Sequence, residues 1–126
     1  MAAKDDVIAV VDDCEVMREA LDHVLVSAGY RTELYASAEE FMRAAPATRA
    51  ACLVVDVELG ATSGPQLLLD LPAHGRSFPA ILMSGSDDPA LPDLASELGC
   101  LAFLPKPFAP NDLLEVLART LAFGTN

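Results

Sequence analysis

The sequence is short of positive charge, with 8 Lys+Arg against 19 Asp+Glu in 126 residues and a formal net charge of −11. Phosphate backbones are held by basic patches, so direct nucleic-acid binding is not expected at an isoelectric point near 4.3. No apolar run approaches the roughly 20 residues of a membrane-spanning helix. The opening MAAKDDV is too short and too acidic for a signal peptide. Neither membrane insertion nor export is expected, which leaves the cytoplasm. The three cysteines, Cys14, Cys52 and Cys100, are odd in number and form no CxxC pair, so they do not describe a disulfide framework. Cys52 and Cys100 lie in or beside apolar runs and are expected to be reduced core thiols. His23 and His74 stand far apart with no partner at metal-ligand spacing, and are expected on the surface. Walker and Rossmann glycine motifs are missing, which removes support for nucleotide binding. So are repeats, low-complexity tracts and linkers, and the chain is read as one domain over residues 1–126, its core at about 6–122.

What is present is apolar and regularly spaced. A hydrophobic fraction of 52% and a mean hydropathy of +0.34 suffice for a core, and folding at this length buries roughly two-thirds of the surface. Four apolar runs have strand length: VIAVV (7–11), ACLVV (51–55), PAILM (79–83) and CLAFL (100–104). RTELYA (31–36) alternates polar and apolar residues, as an edge strand does. Helical patterns fill the gaps. Residues 14–28 place Met17, Leu21, Val24, Leu25 and Ala28 on one face ahead of Gly29. Ser37 and Glu40 form a capping box that opens a short helix ended by Pro46. Pro65 suits a first helical position, and Pro72 closes that segment. Residues 89–98 form a poorly capped helix, and residues 110–122 space four leucines along one face. Strand and helix alternate five times. The fold class is therefore α/β, a parallel sheet covered by helices on both faces.

In such sheets function collects beyond the carboxyl ends of the strands. Asp12 and Asp13 follow the first run, Asp56 the 51–55 run, Ser84 the 79–83 run, and Pro105 with Lys106 the last. Taken singly, an Asp or Ser in such a place is also what a turn or helix cap carries. Taken together, one sheet edge would collect all five side chains. Lys106 is one of only two lysines; the other, Lys4, lies near the N-terminus. Carboxylate pairs 4 Å apart repel by about 4 kcal/mol at an effective dielectric near 20. Three carboxylates therefore call for a proton or a cation, and all-oxygen ligands open to solvent favour Mg²⁺ where phosphate is handled. A carboxylate, a hydroxyl, an ammonium and Mg²⁺ suit phosphoryl transfer.

The segments VVDDCEVMREAL, LVVDVELGATSG, ILMSGS and FLPKPF together resemble the receiver domain of two-component response regulators, over about residues 6 to 122. The stretch AGYRTELYASAEEFM is most similar to receivers of the nitrogen-fixation regulator type. The resemblance implies a flavodoxin-like, doubly wound five-stranded sheet of order 2-1-3-4-5. It makes Asp56 the phosphoacceptor and Asp12, Asp13, Asp56 and the backbone carbonyl of Glu58 the Mg²⁺ ligands. Ser84 would bond a phosphoryl oxygen, and Lys106 would pair with Asp56 and then with its phosphate. The Lys106–Pro107 bond would be cis. Phe103 would be the aromatic switch residue, filling the space that Ser84 vacates. Glu58 and Ser86 fall where the family faces the phosphoryl group, and the charge of Glu58 is expected to alter phosphoryl lifetime. The chain departs from many relatives in carrying Gly60 for Pro and Ser84 for Thr.

The implied partners are a histidine kinase or histidine phosphotransfer protein, and a downstream target or the protein's own output domain. A homodimer on phosphorylation is a further option. The implied protein is not an enzyme, catalysing only its own phosphorylation and dephosphorylation. Three other readings stand beside it. The chain can be a receiver cut from a DNA-binding transcription regulator. It can be a phospho-aspartate phosphatase of the haloacid-dehalogenase type, suggested by Asp56-Val57-Glu58. A pseudo-receiver that only binds partners is disfavoured by the full set of site residues. Finally, Leu67, Leu68, Leu69 and Leu71 exceed what one narrow helix face buries, so Leu68 or Leu69 is expected either in a denser core or exposed as a contact surface.

Overall fold

A computed structural model describes residues 6–124, with side chains through Leu121. Lys4 lies outside the described residues. Five strands, β1 (Val7–Val11), β2 (Arg31–Tyr35), β3 (Ala50–Asp56), β4 (Ala80–Ser84) and β5 (Ala102–Pro105), form one parallel sheet of order β2-β1-β3-β4-β5. The helices α1 (Glu15–Ser27), α2 (Ala38–Ala44), α3 (Gly64–Asp70) and α4 (Ala90–Glu97) lie in the connections, and α5 (Pro110–Gly124) follows β5. The expected doubly wound α/β fold and strand order are both observed.

Strand alternation explains the two cores. Ile8, Val10, Cys52, Val54, Ile81 and Met83 face α1 and α5, meeting Leu21, Leu25, Leu113 and Leu117. Their neighbours Ala9, Val11, Leu53, Val55 and Leu82 face the other way and meet Phe41 of α2, Leu67 of α3 and Ala95 of α4. Both faces of the central strands are dry, so their sequences read as unbroken apolar runs. At the sheet edge, β2 is exposed or half-buried throughout, so its sequence is not an unbroken apolar run. Cys52 is buried, Cys100 half-buried and Cys14 exposed, and both histidines lie on the surface.

Local chemistry sets the helix ends. The Ser37 hydroxyl accepts the Glu40 amide at 3.1 Å, and the Glu40 carboxylate accepts the amide of Ala36, one residue earlier than in a standard box. Ser63 caps α3 by accepting the Gln66 amide at 3.1 Å. Pro72 does not end the segment outright, because a 3₁₀ turn continues through Leu71–His74. The poorly capped start expected near residue 89 has an acceptor after all, since Asp88 Oδ1 takes the Ala90 amide at 2.9 Å. The fifth strand begins two residues later than its apolar run. Gly99, at φ 78°, turns the chain out of α4, and the Cys100 amide still bonds the Ala95 carbonyl. Of the leucine cluster, Leu67 and Leu71 are buried, Leu68 is half-buried, and Leu69 is 60% exposed.

The central strands β1 and β3 send their connections to opposite sides, so the loops after them diverge and open a crevice at their carboxyl ends. Gly64 fixes the floor of that crevice. A Cβ there would run into the Asp56 carbonyl oxygen and lie 2.9 Å from Val55 Cγ1, so only glycine lets α3 start this close behind β3. Gly60, in the same loop, has open space around it. We expect Gly64→Ala to lower stability by about 2 kcal/mol or more through overpacking against backbone. Gly60→Ala should change it by less than about 0.5 kcal/mol. Urea unfolding midpoints of the two variants check this, and equal midpoints would contradict it.

Candidate functional site

Asp12, Asp56, Ser84 and Lys106 are each the last residue of a strand or the first beyond one. Asp12 follows β1 and is fully buried, whereas Asp13 beside it is exposed. Asp56 ends β3 at 4% exposure, Ser84 ends β4 fully buried, and Lys106 follows β5. In-register pairing sets Val11 against Val55, Asp56 against Met83, and Ser84 against Pro105, so parallel strands end nearly level. That level edge is why residues 94 positions apart meet.

Backbone contacts hold the edge in place. The Asp12 amide bonds the Tyr35 carbonyl at 3.1 Å, and Arg18 of α1 donates to the Asp12 carbonyl at 2.7 Å. Asp12 Oδ1 accepts the Cys14 amide at 2.9 Å, and Asp56 Oδ1 accepts the Glu58 amide at 3.1 Å. The Lys106 amide bonds the Ser84 carbonyl at 2.7 Å, and the Lys106–Pro107 bond is cis. With one oxygen of each buried carboxylate so engaged, the other turns to Lys106. Its Nζ lies 3.1 Å from Asp12 Oδ2 and 3.0 Å from Asp56 Oδ2.

The charges do not balance. Ligand oxygens of Asp12, Asp13 and Asp56 all lie within 4.8 Å of one another, against one ammonium group. Burial pushes the Asp56 carboxyl up to about 6; hydrogen bonding and attraction to Lys106 oppose the rise, and repulsion from Asp12 adds to it. Burial also works against the charge on Lys106, but its hydrogen bonds to Asp56 and Asp12 hold its pKa above the usual lysine range. Three carboxylates and one ammonium leave an excess negative charge that a hard divalent cation would offset, and the donor set is all oxygen and partly open. These residues fit such an ion.

Ser84 is placed at the same edge but is otherwise engaged. Its hydroxyl donates to the Glu58 carboxylate, 2.7 Å from Oε2 and 2.9 Å from Oε1, and accepts the Ser86 amide at 2.9 Å. Sequence reasoning missed both this contact and the Arg18 anchor, because neither residue type at its spacing signals its partner. Phe103 does not enter the carboxylate cluster. It is half-buried and lines a surface depression of about 380 Å³ with Ser86, Asp88, Pro92 and Pro105. Every buried side-chain nitrogen or oxygen among the described residues has a hydrogen-bond partner.

The family described as response regulator receiver domain matches residues 8–118. Transcriptional regulatory protein FixJ of Bradyrhizobium diazoefficiens is 36% identical over 114 residues, covering 90% of this chain and 56% of that protein. Response regulator protein TmoT of Ectopseudomonas mendocina is 31% identical over 121 residues, covering 96% and 55%. Among solved structures, FixJ-N aligns with a TM-score of 0.85 at 30% identity, covering 94% of each chain. A CheY-like receiver domain protein from Methanospirillum hungatei, at 24% identity and a TM-score of 0.82 over 94% of each chain, shares the fold. The chain spans about half the length of the curated relatives it matches.

The raised pKa of Asp56 carries a stability signature. A carboxyl that titrates near 6 in the fold and near 3.9 unfolded favours the fold most when protonated. Its contribution is full below about pH 4 and is lost as the pH rises through about 6. Without divalent cations, Asp56→Asn, neutral at every pH, should raise the melting temperature by several degrees at pH 7.5. That gain should shrink toward zero at pH 4. Thermal melts across this range check it, and a gain that does not depend on pH would contradict it.

Proposed function

This chain belongs to the response regulator receiver domain family, and we propose that Asp56 is its phosphoacceptor in a two-component or phosphorelay system. The observation that carries this reading is the buried Asp56 carboxylate held 3.0 Å from the Lys106 ammonium, which itself spans to Asp12. In the reaction an Asp56 oxygen attacks the phosphorus of a phosphohistidine on a histidine kinase or phosphotransfer protein. The phosphorus–nitrogen bond breaks and the imidazole leaves with the electron pair, taking up a proton. Asp12, Asp13, Asp56 and the Glu58 carbonyl would hold Mg²⁺, which when bound supplies positive charge to the transferring group. Lys106 is close enough to follow the charge as it moves from the Asp56 carboxylate to the phosphoryl oxygens. The Ser84 hydroxyl, one strand over, donates to one of those oxygens. The phosphoryl group adds charge and strong acceptors where Ser84 and Lys106 converge. Phe103, beside the depression flanking α4, relays the shift to the face where a target or output domain binds, or where two copies pair.

The setting is cytoplasmic, and no helix among the described residues is long and apolar enough to cross a membrane. One observation favours a regulator with a DNA-binding output as the natural context. The chain covers 56% of a FixJ relative that is named as a transcriptional regulatory protein. With Mg²⁺ and acetyl phosphate, intact mass should show one phosphoryl addition. Asp56→Asn should abolish it, and Lys106→Ala should slow it at least about tenfold, the loss of a charge-assisted contact to the transferring group. An addition that persists in Asp56→Asn would contradict the assignment. Steady hydrolysis of phosphate esters with no phosphoprotein would favour the phosphatase reading instead.

A further inference from the structure

Glu58 contacts the site in two ways that its expected role as a carbonyl ligand does not use. Its amide bonds Asp56 Oδ1 at 3.1 Å, and its carboxylate receives the Ser84 hydroxyl at 2.7 and 2.9 Å. The residue thus bridges the phosphoacceptor and the hydroxyl that is to meet the phosphate. Ser84 Oγ carries one proton and cannot give it to a carboxylate and a phosphoryl oxygen at once. Ser84 is fully buried at the end of β4, whereas Glu58 is exposed and free to leave. Among the described residues Glu58 makes no salt bridge, and the hydrogen bonds of its carboxylate go to Ser84 alone. Among the described residues no cationic side chain competes with the hydroxyl for it.

We infer that the Glu58 carboxylate is a positioning residue that latches the Ser84 hydroxyl and competes directly with the incoming phosphoryl group for it. The inference rests on the receiver reading and adds a term to its energetics. When the Asp56 oxygen–phosphorus bond forms and the donor's phosphorus–oxygen bond breaks, with acetate leaving in the acetyl phosphate reaction, Ser84 must abandon Glu58. The carboxylate then swings to water. Phosphorylation and release of Ser84 are therefore one event, and a receiver without this contact starts with its hydroxyl already available. A charge effect of Glu58 on the phosphoryl anion would act whether or not Ser84 has a hydroxyl. A latch would not.

A double-mutant cycle separates the two. Wild type, Glu58→Ala, Ser84→Ala and the double variant are phosphorylated with Mg²⁺ and acetyl phosphate and followed by intact mass. Glu58→Ala should speed phosphorylation by about three- to tenfold, the net worth of one ordinary hydrogen bond for a carboxylate this exposed, and that gain should fall below twofold when Ser84 is also alanine. Equal gains in both backgrounds would overturn the latch in favour of charge alone. The same four proteins, unphosphorylated, should show non-additive melting temperatures because the contact exists before the reaction; additive shifts would overturn it. Should wild type take no phosphoryl group, the receiver reading falls, and the melting cycle still decides whether Glu58 holds Ser84.

Discussion

Two buried carboxylates, Asp12 and Asp56, share one ammonium group, and the rest of the site is arranged around that unequal sharing. An isolated buried charge is costly, and a paired one is tolerated only when its remaining lone pairs are also satisfied. Here each carboxylate gives one oxygen to a backbone amide and the other to Lys106. Asp13, at the exposed rim, adds negative charge without adding a partner. The edge is thus stable enough to fold and still short of positive charge. A fold that balanced these charges internally would offer a cation no net attraction.

The sheet makes this possible by geometry alone. Parallel strands in register end at one level, so short loops suffice to aim Asp12, Asp56, Ser84 and Lys106 at a common point. Gly64 allows α3 to press against the carbonyl of Asp56, which leaves that residue little freedom to drift. The Lys106 amide on the Ser84 carbonyl ties the ammonium-bearing loop to the strand that carries the hydroxyl. Rigid placement of this kind is what phosphoryl transfer asks of a protein, since positioning and charge supply most of the catalysis.

Much of this is legible in the residues themselves. VIAVV and ACLVV read as central strands because both of their faces are buried, and RTELY reads as an edge because neither of its faces is fully buried. Asp12, Asp56, Ser84 and Lys106 stand out because a parallel sheet turns four separate strand ends into one place. Elsewhere apolarity misleads. Cys100 and Leu101 look like strand but belong to the turn after α4, where backbone hydrogen bonding overrides side-chain character. Leu69 is apolar and exposed, a fact that composition cannot supply. The Glu58–Ser84 contact was hidden for a different reason. It depends on which way one exposed side chain turns, and no spacing rule encodes a rotamer.

Everything at this edge turns on Lys106 as the internal counterion of under-neutralised carboxylates. If it is, removing its charge should leave the carboxylates freer to bind Mg²⁺, even as it harms phosphoryl transfer. Calorimetric titration of Mg²⁺ into wild type and Lys106→Ala at pH 7.5 measures this directly. Mg²⁺ should bind Lys106→Ala about tenfold tighter, a modest share of the repulsion expected at such distances. Equal or weaker binding by the variant would contradict it.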